Sequence, residues 1–147
     1  MNMVYLLLYV IAAMIVGFVM VKTYQEKDRM RRYVIVLLAL AMICIVSYSV
    51  NFMTDNYNVM SAATSIMMAA QDFLLVSLFI YTTEFARISN KVTKVMTIAA
   101  FVIAIIDSVV FIANIFNEIA VKYSLVKCDG IYVLGYEGEL WFGIHAV

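Results

Sequence analysis

Apolar residues in this chain gather into four long blocks separated by short polar ones: Val4 to Val21, Val34 to Phe52, Tyr57 to Tyr81 and Val95 to Phe116. Each comes close to or exceeds the roughly 20 residues that a helix rising ~1.5 Å per residue needs to cross a ~30 Å hydrocarbon core. The pattern predicts an all-α membrane protein, an antiparallel bundle of transmembrane helices formed by residues 1–147 as one partial transmembrane domain. A further apolar run opens at about Leu140 and reaches only to Val147, so a fifth helix is expected to begin there and to be cut short. Between Asn117 and Glu139 the Asp129-Gly130 dipeptide separates two β-prone segments, the signal of a two-residue turn. A short extracytoplasmic β-hairpin is expected there, near Val126 to Tyr136.

The third block is the least ordinary, because Asp72 stands near its middle. A carboxylate at that depth costs ~3 kcal/mol on insertion scales, so it must face protein or water. Ser61, Ser65, Met68 and Asp72 recur at i, i+4, i+7 and i+11, which places them on one helical face. Ala62, Ala63, Ala69 and Ala70 allow other helices to approach closely. This block therefore reads as the central packing element. Asp107 occupies the middle of the fourth block. It lies about as far from Lys94 as Asp72 lies from Glu84, so two antiparallel helices would bring both carboxyls to one depth, facing each other inside the bundle.

Composition sharpens the class. Charged residues make up 14 % of the chain, against roughly 25 % in soluble domains, and mean hydropathy is +0.99. Net charge is zero, which points away from nucleic acid. The N-terminal run is not preceded by a basic residue and is too long for a signal peptide core, so it reads as a first membrane helix. The chain has no proline, and straight helices are expected. Cys44 lies in an apolar run and Cys128 in a polar loop, a setting that suggests neither a disulfide nor a metal site. His145 is the only histidine, without partners for a metal or a nucleophile. No catalytic residue and no cofactor is expected.

Placement of charge orients the chain. Lys22, Lys27, Arg29, Arg31, Arg32, Arg87, Lys91 and Lys94 all fall in the first and third loops. By the positive-inside rule those loops are cytoplasmic and the N-terminus is outside, in a multi-pass protein of the cell membrane. On that orientation, Cys44, Ser47 and Asn51 lie in the outer half of helix two, Ser61, Thr64 and Ser65 in that of helix three, and Asn114 in that of helix four. They either enclose an outward-opening pocket for a small molecule or make ordinary interhelical hydrogen bonds of roughly 0.6 kcal/mol each.

The loop order, the stretch DFLLVSLFIYTTEFA on helix three and LWFGIHAV at the start of helix five resemble the seven-helix sensor region at the N-terminus of bacterial histidine kinases and some diguanylate cyclases. The resemblance covers the first four helices and the opening of the fifth. It implies a non-catalytic sensory input region whose output module would lie beyond Val147, partnered by the lipid bilayer, by a small molecule from the outer side and, at full length, by a second copy of itself. Asp72, Asp107, Asn51, Ser65, Asn114, Trp141 and His145 are the candidates for ligand binding or signal coupling. The alternative is a fragment of a secondary transporter using its intramembrane carboxylates.

Overall fold

In the computed structural model, the described residues are 3–88, 90–117, 121–128 and 131–138. They form four helices, α1 (Met3–Gln25), α2 (Arg31–Met53), α3 (Tyr57–Phe85) and α4 (Lys91–Asn117). All four are long and apolar enough to cross a membrane. Two strands follow, β1 (Val121–Cys128) and β2 (Ile131–Gly138), paired antiparallel from Val121 opposite Gly138 to Cys128 opposite Ile131. The turn expected at Asp129-Gly130 and the fifth apolar run from Leu140 lie outside the described residues.

The helices extend beyond the apolar blocks. Capping chemistry, rather than hydropathy, sets both ends of α3 and the start of α4. Asn56 accepts a hydrogen bond from the Asn58 amide at 3.0 Å and starts α3 at Tyr57. Asn90 accepts from both the amide and the hydroxyl of Thr93, at 2.7 and 2.8 Å, and starts α4 at Lys91, four residues before the apolar block expected at Val95. At its other end α3 closes in a Schellman turn: the Ile88 amide bonds the Thr83 carbonyl, and the Arg87 amide bonds that of Glu84. Such a turn needs a left-handed residue, and here it is Arg87, with φ 54°. Glycine would adopt that conformation without the clash between Cβ and backbone that arginine meets.

Helices pack chiefly on their sequence neighbours: α1 on α2, α2 on α3, and α3 on α4. Antiparallel order is visible across the first interface, where Tyr9 meets Tyr48 and Phe52 while Gly17 faces Met42. Tyr5, Tyr9, Tyr48 and Phe52 form a connected aromatic cluster with ring centroids 5.1 to 6.2 Å apart. Offset and tilted ring pairs of this kind contribute about 0.5–1.5 kcal/mol each beyond area burial. The cluster joins the outermost helix to the rest.

Burial identifies the centre. In the most apolar window of α3, 39 % of residues are buried inside the protein, against 0 % in that of α1. The residues that achieve this are small: Ser61, Ala63, Thr64, Ser65, Ala69 and Ala70 are all buried, with Met60, Met67 and Val76 filling the remaining space. Large apolar side chains instead point away from the protein, as Leu75 does on α3 and Val95, Ile98 and Val109 do on α4. That inversion suits a bilayer, where lipid is as apolar as leucine and helices associate by close packing.

Candidate functional site

Two faces of α3 are occupied. Thr64 accepts a hydrogen bond from Asn51 Nδ2 at 3.0 Å, and the Met67 carbonyl lies 4.0 Å from the Cys44 sulfur, so this face meets α2. The other face carries Ser61, Ser65, Ala69, Asp72 and Val76, which follow at steps of four, four, three and four and so share one side of the helix. Phe73 beside it meets Phe101 of α4 edge-on at 5.9 Å.

The partner stripe on α4 is Ala104, Asp107, Ser108, Phe111 and Asn114, all buried. Because α4 packs chiefly on α3, these side chains are buried against α3. Asp72 and Asp107 thus lie on two helices that pack against each other. Asp107 is 6 % exposed and Asp72 half-buried, and each has an interaction partner within the protein. Asn114 is fully buried and also engaged.

The result is a polar seam through three helices: Ser47 and Asn51 on α2, Ser61, Thr64 and Ser65 on α3, and Asp107, Ser108 and Asn114 on α4. Asn51 and Thr64 join α2 and α3 within it by a direct hydrogen bond. Asn51 Oδ1, Ser65 Oγ and Ser108 Oγ are nevertheless buried without a hydrogen-bond partner among the described residues. Unsatisfied groups of this kind cost roughly 1–3 kcal/mol each, which makes the seam sensitive to any donor brought near it. A groove of about 400 Å³ opens between α2 and α3, where Ser47, Val50, Val59 and Ala63 form part of the wall.

Of the residues the sequence points to, Asn51, Ser65, Asp107 and Asn114 lie in this seam, and Asp72 lies half-buried on α3, further along the helix from Ser65. Trp141 and His145 lie outside the described residues. Ser108 was missed, although its position beside Asp107 on the same face was a readable signal. The seam contains no group of three or more potential metal ligands among the described residues.

Four apolar helices of spanning length, with polar side chains packed between them, define a multi-pass membrane protein. The chain belongs to the family described as the N-terminal 7TM region of histidine kinase, which matches residues 5–147. No curated protein and no solved structure matches it. The family is a sensory, non-catalytic region, and this segment is not an enzyme. Its description names histidine kinases, so the diguanylate cyclase part of the resemblance has no counterpart in the match.

The Asn51–Thr64 bond provides a direct test of the seam. Thr64→Val strands the Asn51 amide and should destabilise the protein by about 1–2 kcal/mol. Adding Asn51→Leu removes the stranded group and should recover much of that loss, a coupling that a double-mutant cycle on unfolding in detergent would measure. Additive effects would show that the bond is not made.

Proposed function

We propose that this chain is the membrane-embedded sensory input region of a bacterial signal-transduction receptor and passes its signal to a histidine kinase module. The observation that carries the reading is the family match over residues 5–147. Two features of the fold support it. Polar and ionisable groups are concentrated on the central helix and its neighbours, where small rotations or shifts would exchange hydrogen-bond partners. The faces that α1 and α4 turn outward are apolar and open to lipid or to further helices. The match gives no corresponding support to a transporter.

In this reading the protein sits in the cell membrane with its N-terminus outside, and the β1–β2 hairpin is extracytoplasmic. The support is charge: eight of the ten Lys and Arg residues lie in the α1–α2 and α3–α4 connections and the helix ends beside them. A small molecule arriving from the outer side acts on the outer half of the seam, and the full-length receptor works as a homodimer. In a background with Cys44 and Cys128 replaced by alanine, Asp55→Cys should react with an impermeant thiol reagent added to intact cells, and Glu26→Cys only after permeabilisation. The opposite pattern would invert the orientation.

Signalling is tested at the seam. In the full-length receptor Ser65→Ala and Asp72→Asn should each shift basal kinase autophosphorylation several-fold, whereas the lipid-facing change Ile98→Leu should not. Wild-type output from both seam variants, at normal membrane levels, would separate the seam from signal transfer.

A further inference from the structure

The α1–α2 connection carries a second concentration of chemistry that the sensory reading does not use. Lys27, Arg29, Arg31 and Arg32, together with Tyr33, line a concave space of about 690 Å³. Asp28 is the only acidic residue in its wall, and its Oδ1 already accepts the Met30 amide at 3.3 Å. Four cations therefore line the cleft beside one carboxylate, and one of the four, Arg29, also reaches Glu84 outside it. A charge bias alone would require only an orientation in the membrane; the arrangement here is more specific.

One of the guanidinium groups is held in place. Arg31 Nη1 donates to the carbonyls of Tyr24 and Glu26, at 3.3 and 3.1 Å, while its guanidinium lies 5.7 Å from the centre of the Tyr24 ring. Three further N–H groups remain on its Nε and Nη2. Arg29 pairs with Glu84 at the end of α3, at 3.6 Å. Lys27 and Arg32 make no ion pair among the described residues. The cleft thus combines one oriented fork, that of Arg31, suited to bidentate contact with phosphate oxygens, with three exposed cations.

Its depth identifies the source of the phosphate. The apolar run of α1 ends at Val21 and that of α2 begins at Val34, so residues 22–33 lie at the level of the lipid headgroups. Lys22 marks the same boundary, its ammonium 5.9 Å from the centre of the Phe18 ring one turn deeper in the membrane. We propose that this cleft binds the phosphate headgroup of an anionic phospholipid from the adjacent leaflet. Lys27, Arg29, Arg31 and Arg32 supply the charge and Tyr33 a hydroxyl, with acyl chains running along the apolar surface below. Because Arg29 also holds Glu84, an occupied cleft and the Arg29–Glu84 pair draw on one guanidinium, and lipid binding is linked to the cytoplasmic end of the central helix.

The test uses the full chain, delipidated in a neutral detergent and titrated with short-chain phosphatidylglycerol, with short-chain phosphatidylcholine and with inorganic phosphate. Phosphatidylglycerol should saturate one site per chain and bind well above phosphatidylcholine. K27Q/R32Q should weaken it by roughly 30-fold, at about a factor of five for each cation lost at a membrane surface. K91Q/K94Q, in the other basic segment, should leave it within twofold of the unaltered protein. All four positions in these variants are exposed, and an unchanged elution profile checks that the fold is kept. Equal losses in the two double variants would reduce the effect to diffuse surface charge and overturn the site. Inorganic phosphate binding as tightly as the lipid would overturn its assignment to a headgroup, and so would equal affinity for phosphatidylcholine.

Discussion

Close approach of α3 to its two neighbours is the constraint on which the rest of the structure depends. In a bilayer an apolar side chain gains little by exchanging lipid for protein, so the attraction between helices must come from packing and hydrogen bonds. Alanine, serine and threonine on α3 provide for both. They let the α2 and α4 backbones come near, and their hydroxyls provide polar contacts. Asp72 and Asp107 depend on the same closeness, since a carboxyl left facing lipid at that depth would oppose insertion. α1 is attached one step further out, through the Tyr5, Tyr9, Tyr48 and Phe52 rings.

A bundle held this way is sensitive in a particular sense. The seam is close-packed, yet Asn51 Oδ1, Ser65 Oγ and Ser108 Oγ lack partners among the described residues. A displacement of α3 that satisfied one of these groups would compete with the Asn51–Thr64 bond. That property fits a sensor better than a rigid scaffold. The opposite, basic end is tied to α3 through Arg29 and Glu84, which gives the central helix a contact at the far side of the membrane.

Much of this was legible in the amino-acid sequence because a membrane restricts the options so strongly. Four apolar runs and one intramembrane carboxylate on a small-residue helix led to the bundle and to its central element. Helix ends were less legible. They follow Asn56, Asn90 and the turn at Arg87, whose effects are local hydrogen bonds and a backbone angle that hydropathy does not register. The polar face of α2 and α3 could be read as a pocket or as interhelical bonding, and only the Asn51–Thr64 distance shows the helices already bonded there. The aromatic cluster was missed, although Tyr5 and Tyr9, like Tyr48 and Phe52, recur at i, i+4 and mark one face of each helix. Trp141, His145 and the Asp129-Gly130 turn lie outside the described residues.

The most direct measurement compares unfolding free energies in bicelles for substitutions on the two kinds of α3 surface. Ala70 is 6 % exposed and Leu75 is 64 % exposed. If close packing holds the bundle, Ala70→Leu adds apolar surface but forces α3 away from its neighbours, and it should cost about 1–3 kcal/mol. Leu75→Ala removes a large apolar side chain facing lipid and should change stability by less than about 0.5 kcal/mol. A stable Ala70→Leu variant together with a strongly destabilised Leu75→Ala variant would contradict this account, because apolar burial rather than close approach would then be holding the helices together.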